Sequence, residues 1–357
     1  MSDKMNSDSM ISSTGNHELV VPHFSRRKFV KTLGVTAAAT LLPNLNGFAA
    51  DTSSEPLAKA EPEQLVKKLF ESFTPEQKSV VCFDWNHLKD GSPLRLRVAN
   101  NWQITDKLIR SDFYTKDQQE MIEAIVFNIY SPEWQGKIRQ EMNDDCGGFG
   151  EEHSIALFGI PGADKFEFVF TGRHLTVRCD GNSTENVAFG GPIFYGHDPH
   201  GDFNEPADHP DNVFWGQALK ANRLYEMLDG KQRAVALQKQ LPAEDEVHFR
   251  AAGAEIPGLR VSEMTADQRE HMELVLKSLL EPYRQTDQAE AMTCLKAQGG
   301  LDNCRLVFYE SGDIGNDGVW DNWRLEGPAF VWHYRGAPHV HVWANVADDP
   351  GVKISTG

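Results

Sequence analysis

The chain has 357 residues, of which 24% are charged and 40% are hydrophobic, and its formal net charge is −17 at pH 7. A chain of this length can bury a large core, as one big domain or as two. The excess of acidic residues argues against nucleic acid or an anionic lipid surface as a partner, and it favours solubility.

The segment Ser25–Lys31, with the sequence Ser-Arg-Arg-Lys-Phe-Val-Lys, fits the twin-arginine export signal. An apolar run over residues 30–42 follows it, and small residues around Ala49 offer a cleavage site. This run is too short for a stable anchor, because a bilayer of roughly 30 Å needs about 20 apolar residues. The alternative is a chance Arg-Arg pair before a surface helix.

This pattern predicts a signal peptide over residues 1–49, a polar linker over 50–63 and a single domain over 64–357. We therefore expect the twin-arginine machinery to export the protein to the periplasm or the extracellular space, with no stable membrane anchor after cleavage. Because that machinery carries folded proteins, a cofactor can be inserted before export.

The cysteines are odd in number and include no Cys-x-x-Cys pair, which excludes a zinc ribbon and a thioredoxin-like redox motif. Cys294 and Cys304 can bridge a short turn in an oxidising compartment. A protein that folds before export usually keeps buried free thiols instead. The sequence leaves both states of this pair open.

Helical periodicity, with apolar residues three or four apart, occurs in several segments. The predicted helices are Gln64–Phe73, a segment that begins at Thr74, Lys116–Tyr130, Asn212–Leu228, a segment that begins at Thr265, and Asp287–Ala297. Thr74 and Thr265 each precede a glutamine by three residues, which is the pattern of a capping box.

Strands are predicted between these helices and at the end of the chain. They are Ala156–Ile160, Phe166–Phe170, Leu175–Cys179, Arg305–Tyr309, Ala329–Trp332 and Val340–Val346. The second and third of them flank Thr171-Gly172-Arg173 and predict a hairpin. Clustered strands without regular strand–helix alternation indicate an α+β fold, with a largely antiparallel sheet and helices packed on it.

The strongest local pattern is His339-Val340-His341 near the C-terminus. On a strand, residues two apart share a face, so both imidazoles point to one side while Val340 and Val342 point to the other. Two imidazoles so placed can bind zinc, copper, iron or nickel, but a catalytic site normally needs a third ligand.

His174 is the predicted third ligand, because it opens a strand on the face opposite the apolar Leu175 and Val177. His333 and His197 are the next candidates. If the strand after His174 neighbours the terminal strand, three imidazoles converge on one transition-metal ion, which can be zinc, copper or iron. The alternative is a set of separately hydrogen-bonded histidines on a half-polar sheet face.

The segment from His197 to Asp211 contains three histidines and five carboxylates. Asp198 and Glu205 in this loop are candidates for a catalytic general base or for the hydrogen-bond partner of a metal-binding histidine. The alternative is a solvated acidic loop, since the spacing matches no fixed ligand pattern.

Two other polar segments are weaker candidates. Asn143–Gly148 is predicted to be a loop, and a nucleophilic pair of Cys146 with His153 has no supporting signature. Asp313–Gly318 resembles the first half of a calcium loop, but Arg324 stands where a bidentate Glu belongs, which excludes an EF-hand. The sequence has no Gly-x-Ser-x-Gly, Walker or His-Glu-x-x-His motif, and several common enzyme classes are therefore excluded.

Four segments carry a family resemblance: Gly172–Leu175, Gly191–Gly196, the capping box at Thr265–Gln268, and His339-Val340-His341 followed by Asp348–Gly351. Together they resemble the family catalogued as domain of unknown function 3500 (DUF 3500), over about residues 64–351. The resemblance implies a single domain and no particular reaction. Arg173 stands where a second histidine is common in that family, and Val340 where an aromatic residue often is, so a four-histidine site is not expected.

Two hypotheses for the function follow. In the first, the exported protein is a metal-dependent enzyme, hydrolytic or oxidative, that acts on a small molecule at His174, His339 and His341. In the second, it is a metal-free extracytoplasmic protein that binds a small ligand or a partner on the same sheet face.

Overall fold

An eleven-stranded sheet lies at the centre of the described part of the chain. The structure is a computed structural model, and it describes residues 57–198, 211–244, 247–250 and 253–352. The predicted signal peptide, including Ser25–Lys31, and the predicted site residue Glu205 lie outside these residues.

The described residues form thirteen strands: β1 (Cys82–Phe83), β2 (Leu88–Lys89), β3 (Ser92–Pro93), β4 (His153–Gly159), β5 (Phe166–Gly172), β6 (Leu175–Cys179), β7 (Ile193–His197), β8 (Leu237–Gln238), β9 (Leu259–Arg260), β10 (Arg305–Tyr309), β11 (Asn322–Gly327), β12 (Phe330–Arg335) and β13 (Val340–Val346). The order in the main sheet is β1-β4-β5-β6-β7-β13-β12-β11-β10-β8, with β9 also paired to β10. Only the short β1–β4 and β8–β10 pairs of the described residues are parallel. The predicted α+β class with a largely antiparallel sheet is confirmed.

Eight α-helices occur in the described residues: α1 (Pro62–Ser72), α2 (Pro75–Val81), α3 (Lys116–Ile129), α4 (Pro132–Cys146), α5 (Trp215–Met227), α6 (Gly230–Ala236), α7 (Ala266–Leu280) and α8 (Gln285–Ala297). Both predicted capping boxes are present, because Thr74 and Thr265 each accept a hydrogen bond from the backbone N–H of the glutamine three residues later.

The prediction of a loop over Asn143–Gly148 is wrong, because α4 continues to Cys146. Its polar last turn has low helix propensity, but the helix buries Trp134, Ile138 and Met142 along one stripe. Gly147 follows the last helical residue, and its φ of 77° is left-handed, as is common just after a helix. Packing of the apolar stripe therefore outweighs the local preference of the polar turn.

The helices cover one face of the sheet. Each contributes buried side chains to a single core, which also contains Val340 and Val342 of β13. The opposite face carries smaller apolar clusters of strand and loop residues, one of them around Phe194, Val331 and Trp343. Since strand residues alternate between faces, His341 lies on this second, loop-covered face.

Strand β7 lies between β6 and β13, and it has a glycine, Gly196, at the position between His174 and His341. Gly196 pairs with His341 of β13, and its N–H donates to the carbonyl of His174 at 2.9 Å. A Cβ atom at Gly196 would lie 2.4 Å from the carbonyl oxygen of Val340 and 3.3 Å from Cβ of His174. Glycine therefore permits His174 and His341 to approach across the middle strand.

We expect Gly196→Ala to lower the free energy of unfolding by about 1–3 kcal/mol, because the new methyl group overlaps the β13 backbone. Urea denaturation measures this change. The matched control is Gly216→Ala in α5, where an added Cβ would meet no atom within 4 Å. The control should leave stability unchanged or raise it by about 0.5–1 kcal/mol, and equal stability of the two variants would contradict the close-approach argument.

Candidate metal centre

Three histidines meet on the loop-covered face, at one end of the central strands β6, β7 and β13. His174 occupies the turn between β5 and β6 with a left-handed φ of 49°, His339 immediately precedes β13, and His341 is the second residue of β13. All three side chains are buried, and their candidate ligand atoms lie within 4.8 Å of one another. The structure thus brings together the three residues that the sequence predicts as ligands.

The facing nitrogens are the Nε2 atoms. The Nε2–Nε2 distance is 2.8 Å between His339 and His341 and 3.1 Å between His341 and His174. Two bonds of about 2.0–2.1 Å to one tetrahedral zinc ion place their nitrogens about 3.3 Å apart. Both separations are therefore close to those of a shared metal ion.

Two of the three rings have a carboxylate at Nδ1, the ring nitrogen that does not face the other histidines, and this contact orients the ring. Nδ1 of His174 lies 2.8 Å from Oδ2 of Asp145, and Nδ1 of His341 lies 2.9 Å from Oε2 of Glu244. Metal-binding histidines commonly donate their second N–H to a carboxylate in this way. Asp145 lies in the last turn of α4 and Glu244 in the loop after β8, and the sequence did not indicate either residue for this role.

Both carboxylates accept further hydrogen bonds or contact a positive charge. Burial acts to raise the pKa of Glu244, but the hydrogen bond from His341 and the charge of Arg335 outweigh burial and lower it. Oδ1 of Asp145 accepts hydrogen bonds from Nε of Arg173 and from the backbone N–H of Asp198, each at 3.2 Å. Two carboxylate acceptors therefore face the Nδ1 atoms.

These contacts assign the ring tautomers. A carboxylate only accepts hydrogen bonds, so Nδ1 carries the proton in neutral His174 and His341, and their Nε2 atoms present lone pairs. Nε2 of His339 lies 3.4 Å from Nη2 of Arg335, a group that only donates. If Nε2 of His339 likewise carries no proton, three lone pairs face one another in a buried space, and a cation between them would remove their repulsion.

The ring pKa values agree with this assignment. Burial lowers the pKa of His341 to about 4, although the hydrogen bond to Glu244 opposes the shift. Burial and the positive charges of His341 and Arg335 lower the pKa of His339 to about 2. Both rings are therefore neutral at pH 7, which is the form that binds a metal ion.

A family model described as "Protein of unknown function (DUF3500)" matches residues 58–346, a range that contains all three histidines. The chain belongs to this family. The match confirms the resemblance found in the sequence. Searches of curated proteins and of solved structures give no match.

Among the described helices of this DUF3500 member, none has the length and apolar character needed to cross a membrane.

The other predicted site residues have different positions. Asp198 accepts a hydrogen bond from Nη2 of Arg173 at 3.1 Å and reaches His174 through Asp145, so its place suits a positioning residue better than a general base. His197 pairs with Val340 and lies on the helix-covered face, with Nδ1 2.7 Å from Oε2 of Glu141.

The cysteines of the DUF3500 chain give no sign of nucleophilic activation. All five are free. Sγ of Cys146 is 4.0 Å from Nε2 of His153, and burial raises the pKa of this thiol to about 12, which disfavours the thiolate. Burial likewise raises the pKa of Cys294 and of Cys304 to about 12.

A separate carboxylate in the loop before β11 has a perturbed pKa. Oδ2 of Asp321 accepts a hydrogen bond from the backbone N–H of Ile314 at 2.8 Å. Burial is the largest cause that raises the pKa of Asp321 to about 7, and the charges of Asp313 and Asp317 act in the same direction. The folded protein therefore favours the protonated form of this group.

The raised pKa makes stability depend on pH. The stabilising contribution of protonated Asp321 is present below about pH 4 and is lost as the pH rises through about 7. Asp321→Asn mimics the protonated carboxyl, so its free energy of unfolding relative to wild type should rise between about pH 5 and about pH 8, on the order of 1 kcal/mol with solvent screening included. Denaturant titrations at both pH values measure this, with exposed Asp164→Asn as control, and an equal pH dependence of both variants would contradict it.

Proposed function

We propose that the protein binds one transition-metal ion, zinc, copper or iron, through the Nε2 atoms of His174, His339 and His341. The convergence of three buried lone pairs supports this proposal, because each ring presents an acceptor to the same point. A set of three imidazoles leaves further coordination positions for water or substrate, as in catalytic zinc sites.

We further propose that the protein is an enzyme that acts on a small molecule at this centre. Zinc would supply Lewis-acid chemistry for hydrolysis, and copper or iron would supply redox chemistry for oxidation. Asp145 and Glu244 orient the imidazoles, and Arg173 and Arg335 neutralise part of the carboxylate charge. The Ser25–Lys31 motif supports export through the twin-arginine route to the periplasm or the extracellular space, with the metal inserted before export.

One distance favours a second candidate function, a metal-free protein that binds a small ligand. The 2.8 Å between Nε2 of His339 and Nε2 of His341 also suits an N–H···N hydrogen bond, if one ring is protonated at Nε2. The ring of Phe194 packs against those of His341 and of Trp343, which follows His341 by two residues on the same strand, so aromatic side chains border the histidines. The metal content of the purified protein separates the two candidates.

We expect the purified protein to contain about one transition-metal ion per chain, and the double variant His339→Ala/His341→Ala to contain almost none, because two of three ligands are removed. Elemental analysis measures the metal content. The control is His271→Ala, whose ring lies on α7 and contacts the carbonyl oxygen of Lys220. Full retention of metal by the double variant would show that any bound metal lies elsewhere, and metal-free wild-type protein after supply of each metal would support the second candidate.

Asp145→Asn and Glu244→Gln should each weaken metal binding by about 10–100-fold without removal of a ligand, because an amide can turn its NH₂ group toward the ring and oppose the required tautomer. Competition with a chromophoric chelator measures the affinity. Asp144→Asn is the matched control, since the carboxylate that contacts His174 belongs to the next residue, Asp145. Equal affinities of all three variants would contradict the orienting role.

A further inference from the structure

A second group of polar side chains lies beside the three histidines on the same sheet face. Arg335 of β12 pairs with His341 of β13, and His333, two residues earlier, pairs with Arg324 of β11. Paired residues share a face, and residues two apart on a strand share it too. The ring of Tyr309, on β10, lies 6.4 Å from that of His333. We call Tyr309, Arg324, His333 and Arg335 the donor cluster.

Each member of the donor cluster has a buried polar atom without a hydrogen-bond partner among the described residues. These atoms are Oη of Tyr309, Nη2 of Arg324, Nε2 of His333 and Nε of Arg335. Tyr309, Arg324 and His333 are almost completely buried. Since buried polar groups are nearly always paired, four such atoms in one cluster require an explanation.

All four atoms can donate a hydrogen bond. A guanidinium only donates. Nδ1 of His333 accepts from Nε of Arg324 at 3.2 Å, so Nε2 carries the proton of the neutral ring. Burial raises the pKa of Tyr309 to about 12, so its hydroxyl keeps its hydrogen. Such a set is satisfied by a group that only accepts.

The nearby carboxylates leave these donors unsatisfied. Glu326 is 3.5 Å from Nη1 of Arg324, while Arg250 holds the same carboxylate through two contacts of 2.5 and 3.1 Å. Glu244 binds Nη1 of Arg335 at 2.6 Å and leaves Nε of Arg335 without a partner. The side chain of Arg335 is 16% exposed although its Nε is buried, so an anion has to enter along this side chain to reach the cluster.

We propose that the donor cluster binds an oxyanion group of the substrate, a carboxylate or a phosphate. The planar fork of arginine suits both groups. Nη2 of Arg335 lies 3.4 Å from Nε2 of His339, so an anion held by Arg335 places the rest of its molecule beside the three histidines. The identity of this anion as a substrate rests on the proposed function, whereas the binding of the anion does not.

The test is calorimetric titration of the full chain with three probes of similar shape: benzoate, phenyl phosphate and neutral benzamide. We expect benzoate or phenyl phosphate to bind at least tenfold more tightly than benzamide. The tighter of the two anions identifies the group as carboxylate or phosphate. Equal binding of all three probes, or no binding, would overturn the proposal, because water alone would then satisfy the donors.

Variants locate the binding site. Arg335→Gln should weaken anion binding at least tenfold and Tyr309→Phe about threefold or more, while exposed Arg269→Gln on α7 should leave it unchanged. Thermal unfolding checks that each variant folds, and Tyr309→Phe serves if Arg335→Gln does not. Unchanged binding by the folded variants would place the anion elsewhere and overturn the proposal.

Titration before and after treatment with a chelator separates this proposal from the metal proposal. If the protein contains no metal before chelation and still prefers the anion in a way that depends on Arg335, the anion proposal stands and the metal proposal fails. If the protein binds metal but shows no preference for the anion, the metal proposal stands and the anion proposal fails.

Discussion

The three-histidine centre depends on the close pairing of β6, β7 and β13 at Gly196. The backbone of this residue joins His174 on one side to His341 on the other, and the missing side chain leaves the space that the two rings share. Side chains from strands that are not direct neighbours can meet only if the residue between them on the middle strand has no large side chain. A residue without a side chain is therefore as important for the geometry as the rings themselves.

Around Gly196, carboxylates and arginines determine the orientation and the tautomer of the imidazole rings. Asp145 comes from the end of a helix, Glu244 from a loop and Arg335 from the adjacent strand. Each imidazole is thus held by a group from a different part of the fold. Because buried polar networks are rigid only when their members are satisfied, this arrangement couples the shape of the centre to the packing of the whole domain.

The fold class and the placement of His339 and His341 on one sheet face could be predicted from the sequence, because both follow from local periodicity. Strand alternation places His341 opposite Val340, and two apolar runs around a glycine predict the hairpin of β5 and β6. The prediction that His174 opens β6 is wrong, because Gly172 still pairs with Leu175 and leaves Arg173 and His174 as the turn. The partners of the rings could not be predicted. Glu244 is 97 residues away from His341 along the chain, and only the tertiary fold brings the two together.

The last turn of α4 shows the same limit in another form. Asn143, Asp144 and Asp145 have a local preference for turns, and the stripe of Trp134, Ile138 and Met142 keeps them helical. Asp145 reaches His174 only because this turn is ordered, so the apolar face of a helix determines the position of a polar contact. Because a sequence pattern concerns a single segment, it does not indicate that the apolar stripe of α4 positions Asp145 against His174.

The separation of the two sheet faces has an evolutionary consequence. The helices and their core occupy one face, while the histidines and the donor cluster lie under loops on the other. Substitutions or insertions in those loops can alter which molecules reach the centre without any change in the packing that gives the domain its stability. If the centre binds a small molecule as proposed, its selectivity can therefore change while the scaffold stays the same.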